Sequence, residues 1–389
     1  MNFDTNIIKA FMQHETPFYY YDTDLLKQTL QTAQQAALQI PNALVHFAIK
    51  SNANLRVLQY VRDTGFGADC VSGGEIQLCL KAGIPADKIM YAGVGKTDKE
   101  ISFAIENGIL CFNVESLEEL DIINQLAGQK GRTVNVALRI NPNVDAHTHE
   151  YITTGLEENK FGIALDDMLK AVRRVEKLPN VNYYGLHFHI GSQILNFNSF
   201  RVLSNRINKI QDTLEAAGIQ TKSINVGGGL GVDYDKPQEN PIPDFQKYFA
   251  VFKKHLRLHP GQAFHCELGR ALSAQWGALI TRTIFVKKTS TKRFAIVDAG
   301  FTELIRPALY QAHHKIINLT ASDKRRHRYD VVGPICESSD TFGTDELLPA
   351  VERGHLLAIL SAGAYGEVMA SQYNCRPLVK AYCTEDFIK

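Results

Sequence analysis

The sequence predicts an α/β protein: a (β/α)8 barrel followed by an antiparallel β domain with a sandwich- or barrel-like sheet. Three observations predict it. Eight short apolar runs, each bounded by Gly, Asn, Asp or charged residues, recur between residues 45 and 269. Segments with helical spacing fill the gaps between them. After about residue 272 clear long helices become few and strand-like stretches take over. Near-continuous apolar strands alternating with helices mark a parallel sheet, and eight such units over about 225 residues match a barrel.

In order, the runs are VHFAIK (45–50), FGADCV (66–71), IMYAG (89–93), LCFNV (110–114), VNVALRI (134–140), YYGLHFHI (183–190), SINVGGG (223–229) and AFHCELG (263–269). Between them, GEIQLCLKAG (74–83) ends in a glycine suited to a helix C-cap. SLEELDIINQLAG (116–128) opens with Ser116 and Glu119 in capping-box spacing, and FRVLSNRINKIQDTLEAAG (200–218) is a third helix. Farther on, 278–300 reads as a hairpin with a polar turn at Lys287–Lys292. RYDVVGPI (328–335), HLLAILSA (355–362) and RPLVKAYC (376–383) are further strands. The expected domains are 25–272 for the barrel and 273–389 for the β domain, the latter joined by residues 1–24 through PFYYYD (17–22).

Composition narrows the function. Lys plus Arg number 42 and Asp plus Glu 41, a net charge of +1 in 389 residues, which offers no footprint for nucleic acid or an anionic membrane. No apolar run nears the ~20 residues that span a bilayer. Met1-Asn2-Phe3-Asp4 lacks a secretory leader pattern, so a cytoplasmic protein is expected. The seven cysteines (Cys70, Cys79, Cys111, Cys266, Cys336, Cys375 and Cys383) are odd in number and widely spaced. That argues against a disulfide framework or a zinc site and reads most simply as small buried hydrophobes. His147 and His149 sit in a polar stretch that reads as a solvated loop. His187 and His189, two apart in a strand, share one face but lack a third metal ligand nearby. Lys324 to Arg328 read as an exposed basic loop.

The chemistry gathers at strand ends, where a barrel of this kind carries its active site. The first strand ends in Lys50, and a lysine partly desolvated in a barrel mouth can form a Schiff base. The sixth ends in His189, followed by Gly191 and Ser192. The seventh ends in Gly227, Gly228 and Gly229, whose backbone can approach an anion closely. The Walker lysine pattern is absent. The eighth ends in Glu267, Leu268, Gly269 and Arg270. An amine, an aromatic ring, a phosphate nest, a carboxylate and an arginine together suit pyridoxal 5′-phosphate. Its aldehyde needs a lysine, and its ring nitrogen needs an anion to stay protonated.

These stretches resemble the diaminopimelate decarboxylase family, in the alanine-racemase-like (fold type III) group of pyridoxal-phosphate enzymes. The resemblance runs from about residue 17 to 383. It is carried by FAIKSN (47–52), GADCVSGGEI (67–76), GLHFHIGSQI (185–194), NVGGGLGVDY (225–234), ELGR (267–270), VDAGFTELIRPALY (297–310), GPICESSD (333–340) and GAYGEVMASQYN (363–374).

The resemblance implies residue roles. Lys50 would bond the cofactor, with Asp69 and Leu268 also counted among the cofactor-binding residues. His189 would stack on the ring and Glu267 would pair with its nitrogen. Ser192, Gly227, Gly228, Gly229, Gly269, Arg270 and Tyr365 would surround the phosphate. Arg270, Arg306 and Tyr310, with Tyr365, would hold a substrate carboxylate. Cys336 would be the general acid and Glu337 would take the distal ammonium. In this family one subunit's β domain supplies the Cys-Glu pair to its partner's site, so a homodimer with shared sites is implied. Leu268 stands where the family usually has proline, and Ser51 where it often has alanine.

The implied reaction is decarboxylation of meso-2,6-diaminoheptanedioate to L-lysine, the last step of lysine biosynthesis. Ornithine or lysine as substrate would leave Arg306 facing no distal anion. Carboxynorspermidine decarboxylase is the nearest rival, disfavoured by GPICESSD. Glu267 argues against a racemase. The presence of Lys50, Glu267 and Cys336 argues against a non-catalytic regulator. The polar stretch Asp145–Asn159 is either a lid or a plain surface loop.

Overall fold

The computed structural model describes residues 1–143 and 160–387. His147, His149 and the whole of the lid candidate 145–159 lie outside the described residues. The chain forms two units. One comprises Leu30–Gly231 and Asp244–Gly269; the other comprises Met1–Thr29, Val232–Pro243 and Arg270–Lys389.

Strand β1 (Phe18–Tyr21) belongs to the second unit. In the first, the next eight strands close a barrel in sequence order: β2 (Ala43–Ala48), β3 (Gly67–Cys70), β4 (Ile89–Tyr91), β5 (Cys111–Val114), β6 (Val134–Arg139), β7 (Val181–His187), β8 (Ser223–Asn225) and β9 (Ala263–Leu268). Every strand overlaps the apolar run that marks it in the sequence. All pairings are parallel, and β9 closes on β2 with Phe264 opposite Ala43 and Leu268 opposite Phe47. The strands are buried on both faces, which is why they read as continuous rather than alternating apolar runs.

The helices follow their caps. Gly73–Ala82 starts at Ser72, whose hydroxyl accepts the N–H of Glu75, and ends at Gly83 in the left-handed region (φ 85°). Leu117–Gln129 starts at Ser116, whose hydroxyl accepts the N–H of Glu119. The return half of the expected capping box is diverted. The Glu119 carboxylate instead accepts the N–H of Glu115 and the buried Lys96 ammonium, 2.5 Å away.

Inside the barrel wall, His46 Nε2 lies 3.0 Å from His265 Nδ1, and His265 Nε2 lies 3.3 Å from the Tyr184 hydroxyl. Burial pushes His46 down to about 4 and His265 down to about 3. Both therefore stay neutral when the unfolded chain, with ordinary histidines, begins to take up protons. Stability from this pair is present above about pH 6.5 and is lost as pH falls toward about 4, on the order of 3 kcal/mol for each histidine. Burial raises Asp69 to about 6 and Glu75 to about 7, and these work in the opposite sense over the same range. The measurement is therefore a difference. Urea unfolding at about pH 7.5 and about pH 5 should show wild type losing more stability on acidification than a His46→Asn, His265→Asn double variant. Equal losses would contradict the histidine assignment.

In the second unit, β1 pairs antiparallel with β10 (Gly277–Lys288), Tyr19 lying opposite Leu279. β10 turns through Thr289–Lys292 into β11 (Arg293–Val297), as the hairpin pattern predicts. β12 (Ile316–Asn318), β13 (Arg326–Val332), β14 (Thr341–Pro349), β15 (Leu356–Ile359) and β16 (Ala381–Cys383) complete one eight-stranded sheet. Its order is β12-β15-β10-β11-β13-β14, with β1 on β10 and β16 on β1.

The sheet is mainly antiparallel, but β11–β13 and β1–β16 run parallel. The 298–325 connection is long enough for such a crossover. The basic run is not wholly loop: Arg326 to Arg328 open β13, and Arg328 pairs with Asp345 at 3.2 Å. β14 carries no strand signal in the sequence because its Gly343, Asp345 and Glu346 suit an exposed edge rather than an apolar strand. Five cysteines are buried as expected, whereas Cys336 and Cys375 are exposed. No helix of the described residues is long and apolar enough to cross a membrane.

Candidate active site

The barrel mouth is built from the residues just beyond each strand. β2 ends at Ala48, and one 3-10 turn, Ile49–Ser51, carries Lys50 beyond the strand rather than at its tip. The Lys50 ammonium lies 3.2 Å from Asp69 Oδ2, with the lysine side chain 42% exposed and the aspartate fully buried. Burial and the nearby Glu267 hold the Asp69 carboxyl up at about 6, against the pull of Lys50.

Glu267, next to last in β9, receives three donors. Its Oε2 lies 2.9 Å from His187 Nε2. Its Oε1 accepts the Asn225 amide at 2.7 Å and the Asn113 amide at 3.1 Å. Burial pushes this carboxyl up, but His187 and Lys50 outweigh it, and Glu267 stays below the usual carboxylate range. It is therefore an ionised carboxylate inside the barrel.

The two histidines of the HFH stretch separate. β7 ends at His187, not His189. His187 takes the inward strand position and bonds Glu267. His189 lies past the strand, and its Nδ1 accepts the Gly228 N–H at 3.2 Å. Burial, with the charges of Arg139 and Lys50, holds His189 well below its ordinary value, so its ring is neutral.

β8 ends at Asn225, whose Oδ1 accepts the Gly227 N–H at 2.9 Å. This bond and the left-handed φ of Gly227 (70°) turn the chain across the mouth. A Cβ on Gly227 would lie 2.2 Å from the Phe188 carbonyl, and one on Gly228 would lie 2.1 Å from the Glu267 carbonyl. The glycine run is thus a cradle with no room for side chains. Gly228→Ala should push the Glu267 carbonyl aside and weaken cofactor affinity at least about tenfold, read by titrating the apoprotein with cofactor. Unchanged affinity would show that the cradle tolerates a methyl group. Gly269 packs against Ala48 and Ser51 across from it. Leu268 is buried in β9, and Ser192 is half-buried beyond His189.

The second unit holds the remaining candidates. Arg270 and Arg306 are 6% and 5% exposed. The Arg270 guanidinium lies 4.9 Å from the centroid of the Tyr365 ring. Tyr310 closes the short helix Arg306–Tyr310. Cys336 and Glu337 are exposed. Their loop is nonetheless clamped, because Asp340 Oδ2 accepts the Ile335 N–H at 2.7 Å and Oδ1 accepts the Phe301 N–H at 2.6 Å.

Sequence reading missed His187 as the partner of Glu267. It also missed Asn113 and Asn225, Tyr234, and Arg139, which pairs with Glu115 at 2.7 Å. The available signal was polarity out of place. Asn113, Arg139 and Asn225 each interrupt an apolar strand run, and a buried polar residue requires a partner.

The fit to a cofactor rests on atoms left over. Buried polar atoms without a hydrogen-bond partner among the described residues include Asp69 Oδ1, Asn113 Oδ1 and His187 Nδ1. All three belong to side chains bonded directly to Lys50 or Glu267. A reachable amine, an ionised buried carboxylate, a neutral imidazole and a glycine cradle are the groups that pyridoxal 5′-phosphate requires.

Comparison with known proteins agrees. The family model for the pyridoxal-dependent decarboxylase, pyridoxal binding domain, matches residues 26–274. The diaminopimelate decarboxylase of Bacteroides thetaiotaomicron is 54% identical over 98% of this chain and 98% of its own. That of Aquifex aeolicus is 41% identical over 93% of this chain and 85% of its own. The crystal structure of diaminopimelate decarboxylase from Helicobacter pylori complexed with L-lysine superposes with a TM-score of 0.91, at 42% identity, covering 97% of this chain and 94% of that one. With that family model spanning more than half its length and relatives of this identity over nearly all of it, the chain belongs to the pyridoxal-dependent decarboxylases, in the diaminopimelate decarboxylase family.

Proposed function

We propose that the chain removes CO2 from meso-2,6-diaminoheptanedioate to give L-lysine, the last step of lysine biosynthesis. The observation that carries this reading is the near-full-length identity to diaminopimelate decarboxylases. Lys50, Asp69 and Glu267 stand in a barrel whose groups fit the cofactor. Pyridoxal 5′-phosphate, when bound, supplies an aldehyde for an amine and a ring that accepts the electron pair left when CO2 departs.

The chain's residues do the rest. Lys50 provides the resident amine, and Asp69 holds its ammonium when it is displaced. Glu267, kept ionised by three donors, keeps a proton on the ring nitrogen. His189, a neutral imidazole, would stack on the ring. Ser192, Gly227 to Gly229, Leu268, Gly269, Arg270 and Tyr365 take the phosphate end. Arg270, Arg306, Tyr310 and Tyr365 hold a substrate carboxylate. Cys336 Sγ donates a proton to the carbon that lost CO2, a transfer worth roughly 10²–10⁴-fold. Glu337 takes the distal ammonium.

The clamped, exposed Cys336–Glu337 loop supports a homodimer in which each chain completes its partner's site. The test is product analysis on the purified holoenzyme given meso-diaminopimelate, ornithine, arginine or carboxynorspermidine. L-Lysine from diaminopimelate alone is expected. Preferential turnover of carboxynorspermidine or another basic amino acid would keep the cofactor chemistry and overturn the substrate.

A further inference from the structure

In the second unit, two buried guanidinium groups converge on one phenol. The Tyr234 hydroxyl oxygen accepts Arg270 Nη1 at 2.7 Å and Arg306 Nη1 at 2.9 Å. Guanidinium has donors only, so the oxygen is the acceptor for both. Arg306 Nη1 also lies 2.8 Å from His314 Nε2. His314 is fully buried, and its Nδ1 lies 2.8 Å from the Leu360 carbonyl. That carbonyl can only accept, so Nδ1 carries the proton and Nε2 is the bare acceptor for Arg306. Burial, reinforced by Arg306, holds the imidazole well below its ordinary value, so it remains neutral.

Arg306 is therefore held by a phenol and a neutral ring. Among the described residues these are its hydrogen-bond partners, and its buried Nε has none. The Tyr234 ring backs the arrangement: the Arg306 guanidinium lies 4.9 Å from its centroid, and His314 meets it edge-on at 5.1 Å. Tyr234 is itself packed against the Val232, Ala274 and Ala364 cluster.

We propose that Tyr234 and His314 are positioning residues that fix Arg306 for the substrate carboxylate. This rests on the reading above that Arg306 takes that carboxylate. A carboxylate in place of the phenol would fix the arginines equally well but would occupy the charge meant for the ligand. The phenol and the imidazole orient the Arg306 donors, and no carboxylate of the described residues pairs with that guanidinium, so its charge is left for an anion.

The test uses holoenzyme and two readouts: steady-state kinetics with meso-diaminopimelate, and equilibrium binding of L-lysine, with 1,5-diaminopentane, which lacks the carboxylate, as control. Tyr234→Phe should raise KM about tenfold or more, with kcat falling much less. It should weaken L-lysine by a similar factor and leave 1,5-diaminopentane unchanged, as expected for losing a hydrogen bond to a charged group. His314→Leu should do the same, and His314→Gln, which can both donate and accept, should restore most of the loss. If Arg306→Gln weakens L-lysine while Tyr234→Phe and His314→Leu do not, the positioning role is overturned and the arginine reading stands. If Arg306→Gln also has no effect, the arginine reading fails and takes the proposal with it. If Tyr234→Phe lowers kcat, cofactor affinity and both ligand affinities together, its role is structural and the proposal is overturned.

Discussion

Replacing Lys50 by Ala should reduce turnover of meso-diaminopimelate below about a thousandth of wild type and abolish the visible absorbance of lysine-bound cofactor. The ammonium 3.2 Å from Asp69 is the amine that the chain offers at this mouth, and alanine removes it outright. The variant also separates chemistry from stability. Without Lys50 the fully buried Asp69 loses its cation, and its proton affinity rises further above about 6. A carboxyl whose folded pKa is raised stabilises the fold at low pH and loses that contribution as pH climbs through the folded value. The melting point of Lys50→Ala should therefore fall further below wild type at about pH 8 than at about pH 5. Lys50→Arg keeps a cation beside Asp69 and should recover much of the stability at high pH, yet stay inactive. Retained turnover and absorbance in Lys50→Ala would remove the lysine from its role. A pH-independent stability gap would show that Asp69 does not depend on it.

The barrel is legible in the sequence because each strand is buried on both faces and so reads as an unbroken apolar run flanked by turn residues. The site is legible where its chemistry needs an unusual residue at a strand end: Lys50, the glycine run and Glu267. The scaffolding between strands is not. His187 and His189 differ by two residues and share an alternation pattern, so sequence alone cannot tell that β7 stops between them and sends only His187 to Glu267. The clamp on Glu267 joins residues 113, 187, 225 and 267, from four strands. No local spacing encodes it, although Asn113 and Asn225 announce themselves as amides inside apolar runs. The β unit is less complete in the sequence. Its edge strand β14 is polar on its exposed face, and its parallel β11–β13 pairing depends on a long connection that carries no periodic signal. Tyr234 is hidden for a similar reason. It lies just past the glycine run in sequence, but its partners Arg306 and His314 come from more than 70 residues away.

Mixing two inactive variants should restore activity. On the proposed architecture a Lys50→Ala chain has no resident amine but presents an intact Cys336, and a Cys336→Ala chain has the reverse defect. In a two-fold symmetric dimer with shared sites, a heterodimer places both substitutions in one site and leaves the other wild type. Random association of equal amounts gives half heterodimers, so the mixture should reach about a quarter of wild-type activity, while each variant alone stays near zero. The loop is built to serve this way. Cys336 and Glu337 are exposed on their own chain, yet Asp340 binds the Ile335 and Phe301 N–H groups from beneath and the Glu337 N–H bonds the Ile335 carbonyl at 2.8 Å. An exposed loop with that much internal bonding keeps its shape without a covering partner, so it can present a thiol and a carboxylate in a fixed geometry. Asp340→Ala should loosen the loop and lower kcat without weakening cofactor binding to the barrel, measured by titration of the apoprotein. Recovery to about a quarter in the mixture places Cys336 in the partner's site. Verified heterodimers that stay inactive would place both residues in sites of a single chain, and the exposed loop would then need another explanation.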